Sequence, residues 1–191
     1  MRLLSLISIL FTFTFVGHSQ QVNVTNAQIN VGSSAKIAMQ NSNSHFQLNG
    51  NSFLSINGGS IFLHNVTFNG PSSIDINGFI WLSGNWINNV SSNLIINRSG
   101  AGIVRFMGSS KQEIKGLYPT IFERFELYNS SSDTAVHIIK SPIIETALNL
   151  NDGIIVTGSN YLYNQGGLIG GSPNSFVFGK YRSPISSTGG Y

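Results

Sequence analysis

The chain has 191 residues, room for one domain of ordinary size, and only 9% of them are charged, against about 25% in an average soluble protein. A formal net charge of +3 is too small to make an electrostatic footprint for nucleic acid or an anionic membrane. With no cysteine, disulfides, thiolate metal sites and a thiolate nucleophile are excluded.

Hydrophobic residues make up 41% and 13 residues are Phe, so a packed structure is expected rather than disorder. Few charges, many β-branched residues and abundant Asn, Ser, Gly and Thr favour an all-β chain. At the start, Met1-Arg2 precedes an apolar run of 15, LLSLISILFTFTFVG, from Leu3 to Gly17. A comfortable membrane span takes about 20 residues. Gly17-His18-Ser19 then places small residues where a signal peptidase accepts them. Residues 1–19 are therefore expected to be a cleaved export signal, with a retained N-terminal anchor as the alternative. The remainder is expected to be secreted or at the cell surface, exported through the periplasm, with no membrane insertion after cleavage. The absence of a cysteine after the run excludes a lipid-anchored lipoprotein. Five Asn-x-Ser/Thr sequons, at Asn23, Asn65, Asn89, Asn97 and Asn129, carry little weight in so Asn- and Ser-rich a chain.

Residues 47 to 85 repeat the pair Asn-Gly at Asn49, Asn57, Asn69 and Asn77, with gaps of eight, twelve and eight. Laying 46–65 over 66–85 without gaps superposes Asn49 on Asn69, Ile56 on Ile76 and Asn57 on Asn77. Apolar columns also match: Phe46 over Val66, Leu48 over Phe68, Leu54 over Ile74, Ile61 over Trp81 and Phe62 over Leu82. A third copy, 86–105, keeps Trp86, Asn89, Ser92, Leu94, Ile96 and Asn97. A fixed period of this kind signals a solenoid, each repeat forming one coil that stacks on the last. The expected fold is all-β, a right-handed parallel β-solenoid (β-helix) with coils of about 20 residues, each pair such as Leu54 and Ile56 pointing inward. Equivalent asparagines would lie about 4.8 Å apart and bond through their amides. The competing reading is an antiparallel meander or sandwich, because Asn-Gly is also the strongest short hairpin signal.

After about residue 105 the repeat is less regular. KQEIKGLYPTIFERFELY comes nearest to a helical pattern, and Gly116 and Pro119 break it. Short strands separated by Gly, Asn, Ser or Pro continue, so residues 20–191 are expected to form one solenoid domain of roughly eight coils, a rod near 40 Å at strand spacing.

The second half resembles a β-strand repeat region of large secreted and surface adhesin-like proteins of Bacteroidota. Four segments carry the resemblance: FMGSSKQEIKG (Phe106 to Gly116), FERFELYNSSS (Phe122 to Ser132), LNLNDGIIVT (Leu148 to Thr157) and SFVFG (Ser175 to Gly179). The resemblance covers about residues 104–182 and implies export across two membranes, often by type IX secretion, with an adhesin-like or scaffold role. It also implies further domains of the same longer chain, so the domain is expected to be truncated at its C-terminal end.

Several β-solenoids cleave polysaccharides, which typically takes two facing carboxylates. Only seven acidic residues exist, and Asp75 is the sole one between residues 20 and 112. Glu113, Glu123, Glu126, Asp133, Glu145 and Asp152 are scattered; Glu123 and Glu126, beside Arg124, read as a solvated patch. Asn151-Asp152-Gly153 reads as a turn rather than a calcium loop. His45, His64 and His137 lack ligand spacing and read as surface or column residues. GGLIGGS lacks the Lys-Ser/Thr of a phosphate loop and reads as a loop. Of the aromatics, Trp81 and Trp86 fall in apolar columns and are expected in the core. Tyr161 and Tyr163 share one face of a strand and are candidate glycan contacts, though the residues alone do not make them a site. No catalytic, metal-binding or cofactor-binding residue is assigned and no cofactor is expected. The expected function is a non-enzymatic secreted or cell-surface spacer or adhesion module, with extracellular polysaccharide or surface polymer as its partner. The alternative is the non-catalytic N-terminal part of a β-helix polysaccharide lyase or glycoside hydrolase.

Overall fold

The computed structural model describes residues 20–39, 41–90, 94–95 and 102–184; the expected export signal lies outside them. The first coil consists of β1 (Gln21–Thr25), β2 (Gln28–Val31) and β3 (Lys36–Met39), the second of β4 (His45–Asn49) and β5 (Phe53–Leu63). The third has β6 (Asn65–Asn69) and β7 (Ser73–Leu82); the fourth has β8 (Trp86–Asn89), β9 (Leu94–Ile95) and β10 (Ile103–Gly108). In the fifth, β11 (Gln112–Gly116) leads to β12 (Thr120–Asn129), and in the sixth β13 (Val136–Ile138) leads to the first part of β14 (Ile143–Val156). The end of β14 opens the next coil, which continues through β15 (Leu162–Asn164) and β16 (Gly167–Gly170), and β17 (Ser175–Phe178) and β18 (Tyr181–Arg182) stack on that.

The named strands pair in parallel, which settles the architecture as a β-solenoid, here of about seven turns, and overturns the antiparallel alternative. One sheet stacks β1, β4, β6, β8, β11, β13, the end of β14 and β17. The other takes the longer part of each coil: β2 and β3 both lie on the single strand β5, which is followed by β7 and β10. A parallel pair cannot be closed by a two-residue hairpin, so each Asn-Gly serves as a corner and the chain returns only after a full coil. Gly50 and Gly70 take φ of 60° and 64° there, a left-handed conformation open to Gly without steric cost.

Alternation along strands such as β4, β7 and β10 sends every second residue inward. Phe46, Val66 and Trp86 stack in one column and Leu54 and Ile74 in another, as the period requires. Inside the middle coils the aromatic rings touch in sequence: Phe68 to Trp86 at 4.9 Å, Trp86 to Phe122 at 5.1 Å, Phe122 to Phe125 at 5.6 Å and Phe125 to Phe106 at 4.8 Å. Trp86 satisfies its buried indole N–H on Thr120 Oγ1 at 2.9 Å. Burying each such side chain contributes about 1.5–3 kcal/mol.

Two expected registers are corrected. Asn57 pairs with Asn77, but Ser60 then pairs with Phe79, because Gly58 and Gly59 of one coil face only Gly78 of the next. A slip of one residue exchanges inside for outside. Ile61 therefore stacks on Ile80, Phe62 on Trp81 and Leu63 on Leu82, and Trp81 lies half-buried on the outer face rather than in the core. The third copy also drifts. Trp86 and Asn89 keep the 20-residue step, whereas Leu82 pairs with Phe106, 24 residues on. Of the other third-copy residues, Ser92, Ile96 and Asn97 lie outside the described residues, and Leu94 pairs onward with Thr120.

The segment from Phe106 to Gly116 is legible as coil chemistry. Phe106 and Ile114 are buried, and Gln112 is buried between them. The Gln112 amide donates to Leu82 O at 2.9 Å and Gly84 O at 2.8 Å, and accepts from Asn129 Nδ2 at 2.8 Å. Asn129 also donates to Ser110 O at 2.8 Å and accepts from Ser131 N at 2.9 Å. These two interior amides close the corner carbonyls of neighbouring coils, where an unpaired group would cost about 1–3 kcal/mol.

Candidate glycan-binding groove

The outer face repeats in columns as the core does. Ile121, Ile143, Tyr163 and Arg182 stack in register across β12, β14, β15 and β18. Tyr161 lies two residues before Tyr163, so both rings point outward from the same side of the chain, and both are half-buried. The approach to β15 is pinned to the coil before it: Tyr161 N donates to Ser141 Oγ at 3.0 Å and Tyr163 N to Pro142 O at 3.2 Å. Pro119 and Pro142 each stand at or just before the start of a strand, where a missing N–H breaks no ladder bond. With Tyr181, Arg182 and Ser183, these residues line an open groove of about 700 Å³.

The groove brings together the two tyrosines singled out from the sequence. It adds Tyr181 and Arg182, which the sequence reading missed, and Lys180 stands beside it against the Tyr161 ring. Arg182 sets its guanidinium 4.1 Å from the Tyr161 ring centroid and Lys180 its ammonium 5.0 Å from it. Tyr181 stacks on Leu162 and its hydroxyl accepts from Asn164 Nδ2 at 2.9 Å. The available signal was the segment Lys180-Tyr181-Arg182, which repeats the alternation of Tyr161-Leu162-Tyr163 one coil later.

A second aromatic cluster lies on another part of the outer face. Phe62 and Trp81 are 4.6 Å apart, and Arg105 lies 5.1 Å from the Trp81 ring and 4.3 Å from the Tyr128 ring. Arg105 is neutralised in place by Glu126, with Nε–Oε2 of 2.7 Å and Nη2–Oε2 of 2.6 Å.

The carboxylates are occupied or dispersed. Glu126 belongs to that ion pair, and Glu123 is only 3% exposed, accepting from Gly102 N at 3.3 Å, so the expected solvated patch is corrected. The cause is a register irregularity between Phe122 and Arg124 that takes Glu123 out of the outward alternation. Glu113 accepts from Lys115 at 2.7 Å and faces Lys111 at 3.4 Å; the Lys115 hydrogen bond holds its carboxyl below the usual range. Asn151-Asp152-Gly153 is not a separate turn. β14 runs through it from one sheet to the other, with Gly153 at φ 105° taking the corner. GGLIGGS likewise contains strand β16 in place of the expected loop, its glycines held by the ladder to β14.

His45 Nε2 and Thr67 Oγ1 are 2.7 Å apart, and His64 Nδ1 and Ser83 Oγ 3.1 Å, which makes both rings column residues between coils. No group of three or more His, Cys, Asp or Glu able to hold a metal occurs among the described residues. Nor is any helix among them long and apolar enough to cross a membrane. No protein-family model, curated protein or solved structure matches the chain.

Proposed function

We propose that this chain is a non-enzymatic, secreted or cell-surface β-solenoid, a spacer and adhesion module that binds extracellular polysaccharide along its side. The observation that carries the reading is the open groove in which Tyr161 and Tyr163 lie together beside Arg182. Half-buried tyrosines offer apolar ring faces to the C–H faces of sugars and hydroxyls to their edges, which suits a polymer lying across a surface. The apolar run at residues 3–17 and the ordered likeness of residues 104–182 to Bacteroidota surface repeats support export and an adhesin-like role. The ion-paired state of Glu113 supports a non-enzymatic role, since a carboxyl held below its usual range by the Lys115 hydrogen bond is a poor general acid.

The test is incubation of the purified chain with plant and algal polysaccharides. Retention in an affinity gel is expected, with no new reducing or unsaturated ends. Release of such ends at a rate proportional to protein added would replace this reading with that of a carbohydrate-active enzyme.

A further inference from the structure

Two cation–aromatic clusters stand on the outer face, and they differ in one respect. At Trp81 and Tyr128 the guanidinium of Arg105 is tied to Glu126. At Tyr161 the cations are Lys180 and Arg182. The ion pairs among the described residues are Arg105–Glu126, Lys111–Glu113 and Lys115–Glu113, and neither Lys180 nor Arg182 belongs to one. None of the residues lining the groove is acidic.

We infer that the Tyr161–Tyr163 groove selects an acidic polysaccharide, one bearing carboxylate or sulfate groups. This rests on the reading of the groove as a glycan site and specifies its ligand. In a chain with only 9% charged residues, two neighbouring cations with no ion-pair partner among the described residues are a local excess rather than part of a mixed surface. The Tyr161 ring, 4.1 Å from its Cζ, restrains the Arg182 guanidinium, whose donors take part in no ion pair among the described residues. The planar fork matches a carboxylate or a sulfate through two parallel N–H···O bonds. Lys180 has spent one donor on Ser159 O at 3.1 Å and keeps the others as a mobile second charge. Tyr163, in register with Arg182, supplies the apolar surface for the sugar ring carrying the anion.

The experiment uses the full chain in affinity electrophoresis against polygalacturonate, a sulfated galactan, a neutral β-glucan and duplex DNA. Retention by one or both acidic polysaccharides is expected, with the preferred one identifying the anion, and none by the β-glucan or the DNA. The double substitution Lys180→Ala with Arg182→Ala should weaken that binding about tenfold or more. Arg182→Lys should recover only part, because the charge returns without the fork. Lys36→Ala, the single-charge counterpart of Arg182→Ala on an exposed residue of the first coil, should stay within about twofold. Lys180 and Arg182 are both exposed, so the variants should melt as the parent does. Equal weakening by Lys36→Ala, or equal retention by DNA, would reduce the effect to bulk charge and overturn the inference. A β-glucan retained through Tyr163 and indifferent to Arg182→Ala would overturn it while leaving glycan adhesion standing. Failure of every polysaccharide to bind would remove both.

Discussion

The side-chain amide of Asn69 donates to Asn49 Oδ1 at 3.0 Å, and Asn89 repeats the contact onto Asn69 at 3.1 Å. Asn69 is thus donor to one coil and acceptor from the next. Asn69→Ala removes both bonds and should cost about 1–2 kcal/mol in urea denaturation. Asn69→Asp should cost more, since its oxygens accept from Asn89 but meet the Asn49 oxygen with no hydrogen between. The Asn77–Asn57 contact is longer, 3.3 Å, and exposed, so Asn77→Ala should stay within about 0.5 kcal/mol. Equal losses at Asn69 and Asn77 would show that the column is not the source.

The two tryptophans report the register directly. Trp86 is fully buried, whereas Trp81 lies half-buried outside because of the slip at Gly58-Gly59. In Trp86→Phe the remaining emission, from Trp81, should be red-shifted and readily quenched by acrylamide. In Trp81→Phe the emission of Trp86 should resist quenching. Comparable quenching of both variants would restore the ungapped 20-residue register and place Trp81 back in the core.

That slip marks how far the sequence carries. Columns such as Phe46–Val66–Trp86 were legible because identity and hydrophobicity both repeat at one period. A single extra glycine leaves no trace in an apolar alignment, since Ile61 over Trp81 reads as well as Ile61 over Ile80. The groove was half legible for a related reason. Tyr161 and Tyr163 show their shared face by alternation alone, but Arg182 reaches them only through the stacking of β15 and β18, with a step of 19 residues rather than 20. Glu123 was misplaced because its corner breaks the alternation from which outward direction was read.

Gly116 sits at φ 123°, and a Cβ there would lie 2.1 Å from Asn88 O, a backbone atom that cannot give way without moving β8. Gly116→Ala should therefore destabilise by about 3 kcal/mol or more, combining backbone strain with the clash. Gly167 in β16 has nothing within 4 Å of the same position, and Gly167→Ala should change stability by less than about 0.5 kcal/mol. Denaturant midpoints measure both. A Gly116→Ala protein as stable as the parent would mean that the β8–β11 stacking is looser than described.

Acid should weaken the solenoid in two stages. Burial lowers the pKa of His45 and His64 from the ordinary 6.5, so the unfolded chain takes up protons first on acidification. Their contribution is fully present above about pH 6.5 and is lost as the pH falls below it. Glu113 works in the same direction lower down. The Lys115 hydrogen bond holds its carboxyl below the ordinary 4.5, so its contribution is present above that value and disappears as the pH falls through the folded-state pKa. The urea midpoint should fall between about pH 7.5 and about pH 5.5, and fall again below about pH 4.5. The double substitution His45→Gln with His64→Gln should flatten the first stage and leave the second; Glu113→Gln should reduce the second alone. A first stage of undiminished size in the double variant would place the titrating group elsewhere.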